Sequence, residues 1–195
     1  MDLSPVANAM LRAQGWQSKI EAPLPERCVI VAEPHTSNWD GWFMVLGTIT
    51  MRLNAKWMIK AEHQNGPIGK FLRGVGAVFV DRGKGGAVQS VIAAFDKGEP
   101  MRLSIAASGT RKYTERWRTG FLQIARGAKV PLVLGYVDYK NRIVGIGPTL
   151  DSSRSDAELE AEMAAFYAPM IARVEANKSP VRFAKQAADD ETADE

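Results

Sequence analysis

Apolar positions along the chain change their spacing several times. Arg27–Glu33 (RCVIVAE) is an almost unbroken apolar run of strand length, which predicts a strand covered on both faces. From Ser37 to about Arg52 the chain is apolar on nearly every side, which predicts a buried helix. Lys56–Ala61 predicts a second strand, Gly66–Arg73 a loop or short helix, and Val75–Asp81 a third strand. Between Gly85 and Lys97 the residues Ala87, Val88, Val91, Ile92 and Phe95 recur at helical spacing, with Gly98 placed to cap the end. Met101–Ala107 predicts a fourth strand. A polar loop, Ser108–Arg118, then leads to a short helix near Thr119–Ala128. Val130–Val137 and Arg142–Ile146 predict two more strands around a turn at Lys140–Asn141. A last helix opens at Ser155, where Ser155 and Glu158 match a capping box. Its apolar row is Leu159, Met163, Phe166, Tyr167, Met170, Ile171 and Val174, and Pro169 should kink or restart it.

Strands alternating with helices in this way predict an α/β fold: a single domain with a mainly parallel or mixed sheet flanked by helices. The domain is expected over residues 1–185. Residues 1–20 hold a possible N-terminal helix, with Val6, Met10 and Leu11 near one side, and 186–195 form a tail without structure. In such sheets ligands gather at the carboxyl ends of the strands. Chemistry is therefore expected on the loops after Glu33, Asp81 and Ala107.

Composition narrows the setting. The 195 residues are 46% apolar and 24% charged, which fits a folded globular chain and excludes disorder as the main state. The single cysteine, Cys28, excludes a disulfide scaffold and fits a reducing, intracellular compartment. The longest uncharged stretches, Gly41–Met51 and Gly85–Phe95, have 11 residues each; a membrane span needs roughly 20. The start, with Asp2 and no basic cluster, does not resemble a secretory signal. The net charge is +3, yet the last nine residues, AADDETADE, hold five acids. A basic body of this kind favours anionic partners such as phosphorylated molecules or lipid headgroups.

The loop after the first strand reads Glu33-Pro-His35-Thr-Ser-Asn-Trp-Asp40. On one continuous helix His35 and Asp40 would lie roughly 140° apart. They meet only if His35 precedes the helix and folds back over its first turn. Pro34 and the cap candidates Thr36, Ser37 and Asn38 favour that break. Asp40, favoured as an anion by the helix dipole, can then accept a hydrogen bond from one imidazole nitrogen and leave the other as a base. The bland alternative is a histidine that merely ends a helix. His63 sits in a polar loop without such a partner.

Two further loops place an arginine at a strand's carboxyl end: Phe79-Val-Asp-Arg82, followed by glycines and a lysine, and Ser108-Gly109-Thr110-Arg111. Arginine matches phosphate oxygens with a fork of donors. Together these segments resemble the glycerolipid acyltransferase family, best known for the lysophosphatidic acid acyltransferases. The resemblance rests on four blocks in order: His35-Thr-Ser-Asn-Trp-Asp40, Gly76-Ala-Val-Phe-Val-Asp-Arg82, Ser108-Gly-Thr-Arg111 and Val130-Pro-Leu-Val-Leu134. It spans roughly Cys28 to Leu150. Where the family usually has glutamate in the third block, this chain has Ser108. A shifted acceptor, a weakened activity and a deliberate replacement are all compatible with that change.

The resemblance implies acyl transfer from acyl-CoA or acyl carrier protein to a lysophospholipid such as 1-acylglycerol 3-phosphate. His35 is then the base and Asp40 its partner. Arg82 and Arg111, with Gly109 and Thr110, bind the acceptor phosphate. No metal or organic cofactor is implied. A lipid acceptor implies peripheral contact with the inner face of the cytoplasmic membrane, with the N-terminal helix either binding lipid or simply covering the domain. Trp39 and Trp42 either line an acyl groove or belong to the core. Two alternatives stand beside this reading. One is a serine hydrolase using Ser108, although Ala-Ala-Ser-Gly-Thr lacks the GxSxG elbow. The other is an anionic-lipid binder that has lost activity. A nucleic-acid partner is not expected.

Overall fold

Arg27–Glu33 buries every residue but its first and lies fourth in a sheet of seven strands, as an apolar run with no polar face requires. The computed structural model describes residues 2–60, 65–74, 76–80 and 86–184. The helices are α1 (Ser4–Ala13), α2 (Asn38–Thr50), α3 (Gly66–Gly74), α4 (Ala87–Phe95), α5 (Gly120–Gly127) and α6 (Asp156–Tyr167). The strands are β1 (Gln17–Ile20), β2 (Arg27–Glu33), β3 (Ala55–Lys60), β4 (Ala77–Val80), β5 (Met101–Ile105), β6 (Leu132–Asp138) and β7 (Ile143–Leu150). They lie in the order β1-β7-β6-β2-β5-β3-β4. Every pairing is parallel except that of β6 with β7. The α/β class with a mixed sheet is as the sequence predicts.

Alternate residues of β2 supply the two cores. Val29 and Val31 join Phe95 of α4, Phe121 and Leu122 of α5, and Leu159, Met163 and Tyr167 of α6. On the other face Ala32 joins Leu11 of α1 with Phe43 and Leu46 of α2. Helix α2 lies tight against β7: a Cβ on Gly47 would come within 2.7 Å of a Val144 methyl. That contact and the Trp16–Phe43 stack, with ring centroids 3.9 Å apart, fix the axis of α2 and so the position of its first turn.

Several expectations need correction. The apolar row of the last helix does not continue to Val174. Helix α6 ends at Tyr167 and its cap, Ala168, donates to Ala164 O. Pro169 cannot donate and would collide with the carbonyl four residues earlier, so the chain leaves the helix. Ile171 and Val174 end up 40% and 39% exposed. In α1, Leu11 is buried with Ala7 while Val6 and Met10 point outward, so these three do not share one face. Trp39 and Trp42, 50% and 39% exposed, are not core. Strand β1 has no counterpart in the apolar pattern, because four mostly exposed residues at a sheet edge are held by backbone pairing to β7 rather than by a buried face.

Candidate active site

The carboxyl ends of β2, β5 and β6 lie side by side in the sheet, and the loops that follow them converge. The loop after β2 is built around Asp40. Ser37 caps α2 in extended backbone, and its hydroxyl accepts from Trp39 N at 3.1 Å. Asp40 reaches back to complete the capping box. Its carboxylate, wholly buried, accepts from Thr36 N at 2.5 Å, Ser37 N at 2.7 Å, Ser37 Oγ at 3.0 Å and Tyr139 Oη at 2.6 Å. Burial and the Asp40 charge push the Tyr139 hydroxyl well above its ordinary range, so it stays a donor.

These bonds bring His35 back over the first turn, as the sequence predicts, with its Nδ1 3.9 Å from Asp40 Oδ2. That is ion-pair range and too long for a hydrogen bond. Nδ1 is buried and has no hydrogen-bond partner among the described residues. The reason is geometric: the oxygens of Asp40 already serve the backbone and Tyr139. Burial lowers the imidazole pKa, the Asp40 charge opposes this, and the Arg111 charge lowers it further. The resulting His35 is neutral at neutral pH, and its ring is 21% exposed. A neutral imidazole beside a fixed carboxylate can accept a proton and then hold the new positive charge.

The loop after β5 brings Arg111 toward this histidine. Gly109 takes a positive φ of 69°, and a Cβ there would come within 2.9 Å of Arg118 Cδ, so glycine suits the turn. Ser108 is buried, and its hydroxyl donates to Thr110 O at 3.0 Å rather than to His35. Thr110 Oγ1 accepts from Lys112 N at 3.2 Å, and Thr110, Arg111 and Lys112 are exposed. Arg82 and His63 lie outside the described residues, as does the 186–195 tail. No cluster of three or more His, Cys, Asp or Glu among the described residues is placed to hold a metal ion.

A family model described as Acyltransferase matches residues 17–134. The chain belongs to this acyltransferase family. No curated protein matches it significantly. Its fold is similar to the crystal structure of the 1-acyl-sn-glycerophosphate (LPA) acyltransferase PlsC from Thermotoga maritima, with a TM-score of 0.59 and 16% identity. The match covers 84% of this chain and 74% of that one. Substrates of an acyltransferase are an acyl donor and an acceptor.

Two residues of this acyltransferase's site were not singled out from the sequence. Tyr139 follows the last residue of β6, a strand-end position of the kind that carries chemistry, but nothing local ties it to Asp40 99 residues away. Glu33 is the one acid closing an otherwise apolar strand, and a charge there was a legible signal. A third contact comes from the C-terminal segment: Val174 N donates to Thr36 Oγ1 at 3.3 Å, and the Arg173 guanidinium lies 5.3 Å from the Trp39 ring centroid.

With Thr36 Oγ1 as a longer fifth at 3.5 Å, the donors on Asp40 make it a structural keystone as well as an electrostatic one. Asp40→Asn is expected to cost about 2–4 kcal/mol, because the amide turns an NH2 toward donors that need an acceptor. Urea unfolding at neutral pH measures this. A loss below about 0.5 kcal/mol would show that these bonds add little.

Proposed function

We propose that this chain transfers a fatty acyl group from an acyl thioester, acyl-CoA or acyl carrier protein, to the hydroxyl of a lysophospholipid such as 1-acylglycerol 3-phosphate, in phospholipid synthesis. The observation that carries the reading is a partly exposed, neutral His35 lying 3.9 Å from a buried carboxylate and beside the Arg111 loop. His35 takes the proton of the acceptor hydroxyl as its oxygen attacks the thioester carbonyl. The imidazolium, stabilised by Asp40, returns that proton to the departing thiolate as the carbon–sulfur bond breaks. No acyl-enzyme forms. Arg82 and Arg111, with the backbone at Gly109 and Thr110, hold the acceptor phosphate.

Membrane contact belongs to the same proposal. No helix among the described residues is long and apolar enough to cross a membrane. Instead, exposed apolar side chains lie beside the base: Trp39 and Trp42 at the start of α2, and Ile171 and Val174 on the segment that bonds Thr36. Trp42 Nε1 donates to Gln14 Oε1 at 3.3 Å, which links this patch to Met10 and Val6 on the outer side of α1. Such a surface, with Arg173 within it, suits an anionic bilayer that delivers a lipid acceptor to His35.

Thioester release over a panel of lyso-lipid acceptors tests the chemistry. His35→Ala should abolish transfer while the melting temperature stays close to wild type, since the ring makes no hydrogen bond among the described residues. Most of the wild-type turnover in the folded variant would remove His35 as the base. Flotation with anionic vesicles tests the surface. The wild type should float and lose binding at high salt, and Trp39→Ala/Trp42→Ala should stay in solution. Equal flotation of the two proteins would exclude this patch.

A further inference from the structure

Glu33 ends β2 on the face shared by Val29 and Val31, toward α5 and α6, and is only 3% exposed. A carboxylate is costly to bury without partners. This one accepts two backbone donors from different loops. Oε2 accepts from His35 N at 2.9 Å, and Oε1 accepts from Ser108 N at 2.7 Å. The second bond spans 75 positions in sequence and crosses from β2 to the neighbouring β5. One side chain therefore ties the loop of the candidate base to the loop of Gly109, Thr110 and Arg111. Its carboxylate also lies against the buried Ser108, the position where the family resemblance implies a glutamate.

We propose that Glu33 is a positioning residue for acyl transfer, a clamp that sets the His35 loop against the Ser108–Arg111 loop and occupies the space a carboxylate at position 108 would fill. The proposal rests on the acyl-transfer reading for its activity readout and on the two hydrogen bonds for its geometry. A clamp that fixes base and acceptor relative to each other acts on turnover more than on binding, because misplacement of the reacting groups is felt at the transition state.

Protonation should loosen the clamp. Burial pushes the Glu33 carboxyl up to about 7, the bonds from Ser108 and His35 favour the anion, and the Asp40 charge adds to the rise. The groups facing it are Asp40 on α2, His35 on its own loop and Tyr167 on α6, whose hydroxyl is held protonated by burial and by the Glu33 charge. Above about pH 7 the anion accepts both N–H groups; below it one oxygen carries a proton and binds its partner more weakly. The His35 value lies below its ordinary range, so the acid limb of kcat/KM near pH 7 should belong to Glu33.

Wild type, Glu33→Ala, Glu33→Gln, Ser108→Glu and the exchange Glu33→Ala/Ser108→Glu would be compared on one acyl-CoA and a vesicle-borne 1-acylglycerol 3-phosphate. Glu33→Ala should lose about a hundredfold in kcat with a smaller change in KM. Ser108→Glu alone should also lose activity, because two carboxylates then share one buried space. The exchange should recover about tenfold or more of the Glu33→Ala loss. Glu33→Gln keeps the volume but offers one acceptor to two donors, so it should lose the limb near pH 7. Glu33→Ala within about threefold of wild type, or an exchange no better than the single variant, would overturn the proposal. Hydrogen exchange at the His35 and Ser108 amides reads the clamp without turnover and should quicken by about tenfold or more in Glu33→Ala or Glu33→Gln. Unchanged exchange overturns the clamp. Quickened exchange in a set of proteins that all fail to turn over would instead count against the acyl-transfer reading.

Discussion

A carboxylate with no solvent contact, Asp40, holds this site together. Its bonds to Thr36 N, Ser37 N, Ser37 Oγ and Tyr139 Oη end the loop after β2, start helix α2 and tie both to the end of β6. A buried charge needs such partners. The same bonds explain why His35 is placed near the carboxylate without bonding it: the acceptor is already occupied. The fold supplies the frame, since α2 sits close on β7 at Gly47 and stacks Phe43 under Trp16.

Two buried carboxylates flank the candidate base and are satisfied differently. Asp40 accepts backbone and hydroxyl donors at a helix start, where the helix dipole adds to them. Glu33, facing the aromatic and aliphatic side of the sheet, has two backbone donors, and desolvation pushes it up to about 7. His35 between them is kept neutral by its own burial, with the exposed Arg111 loop beside it. A base that is neutral, partly open and close to a fixed anion meets the electrostatic demands of moving a proton off a hydroxyl.

The core strands and the histidine's return over the first turn of α2 were legible in the sequence, for physical reasons. RCVIVAE has no polar face, so it had to be central, and Pro34 with Ser37 forces a break between His35 and the helix. Other features were not legible. Tyr139 acts through a contact 99 positions away, which no local pattern encodes; the acid at position 33 was visible, but its partner 75 positions away was not. Trp39 and Trp42 fall on an apolar helix, yet both rings are exposed near the start of α2. The apolar row through Val174 imitates a helix that Pro169 ends. Its last members instead lie over the site through Val174 N and Thr36.

The central claim is that His35 is a neutral base beside, and not bonded to, the Asp40 carboxylate. The chain has two histidines, His35 and His63, so imidazole nitrogen shifts followed against pH can be assigned with a His63→Gln reference. The account predicts that the His35 ring titrates below the ordinary value of 6.5 and is neutral at neutral pH. A His35 ring that titrates above that value, and so is an imidazolium at neutral pH, would contradict it.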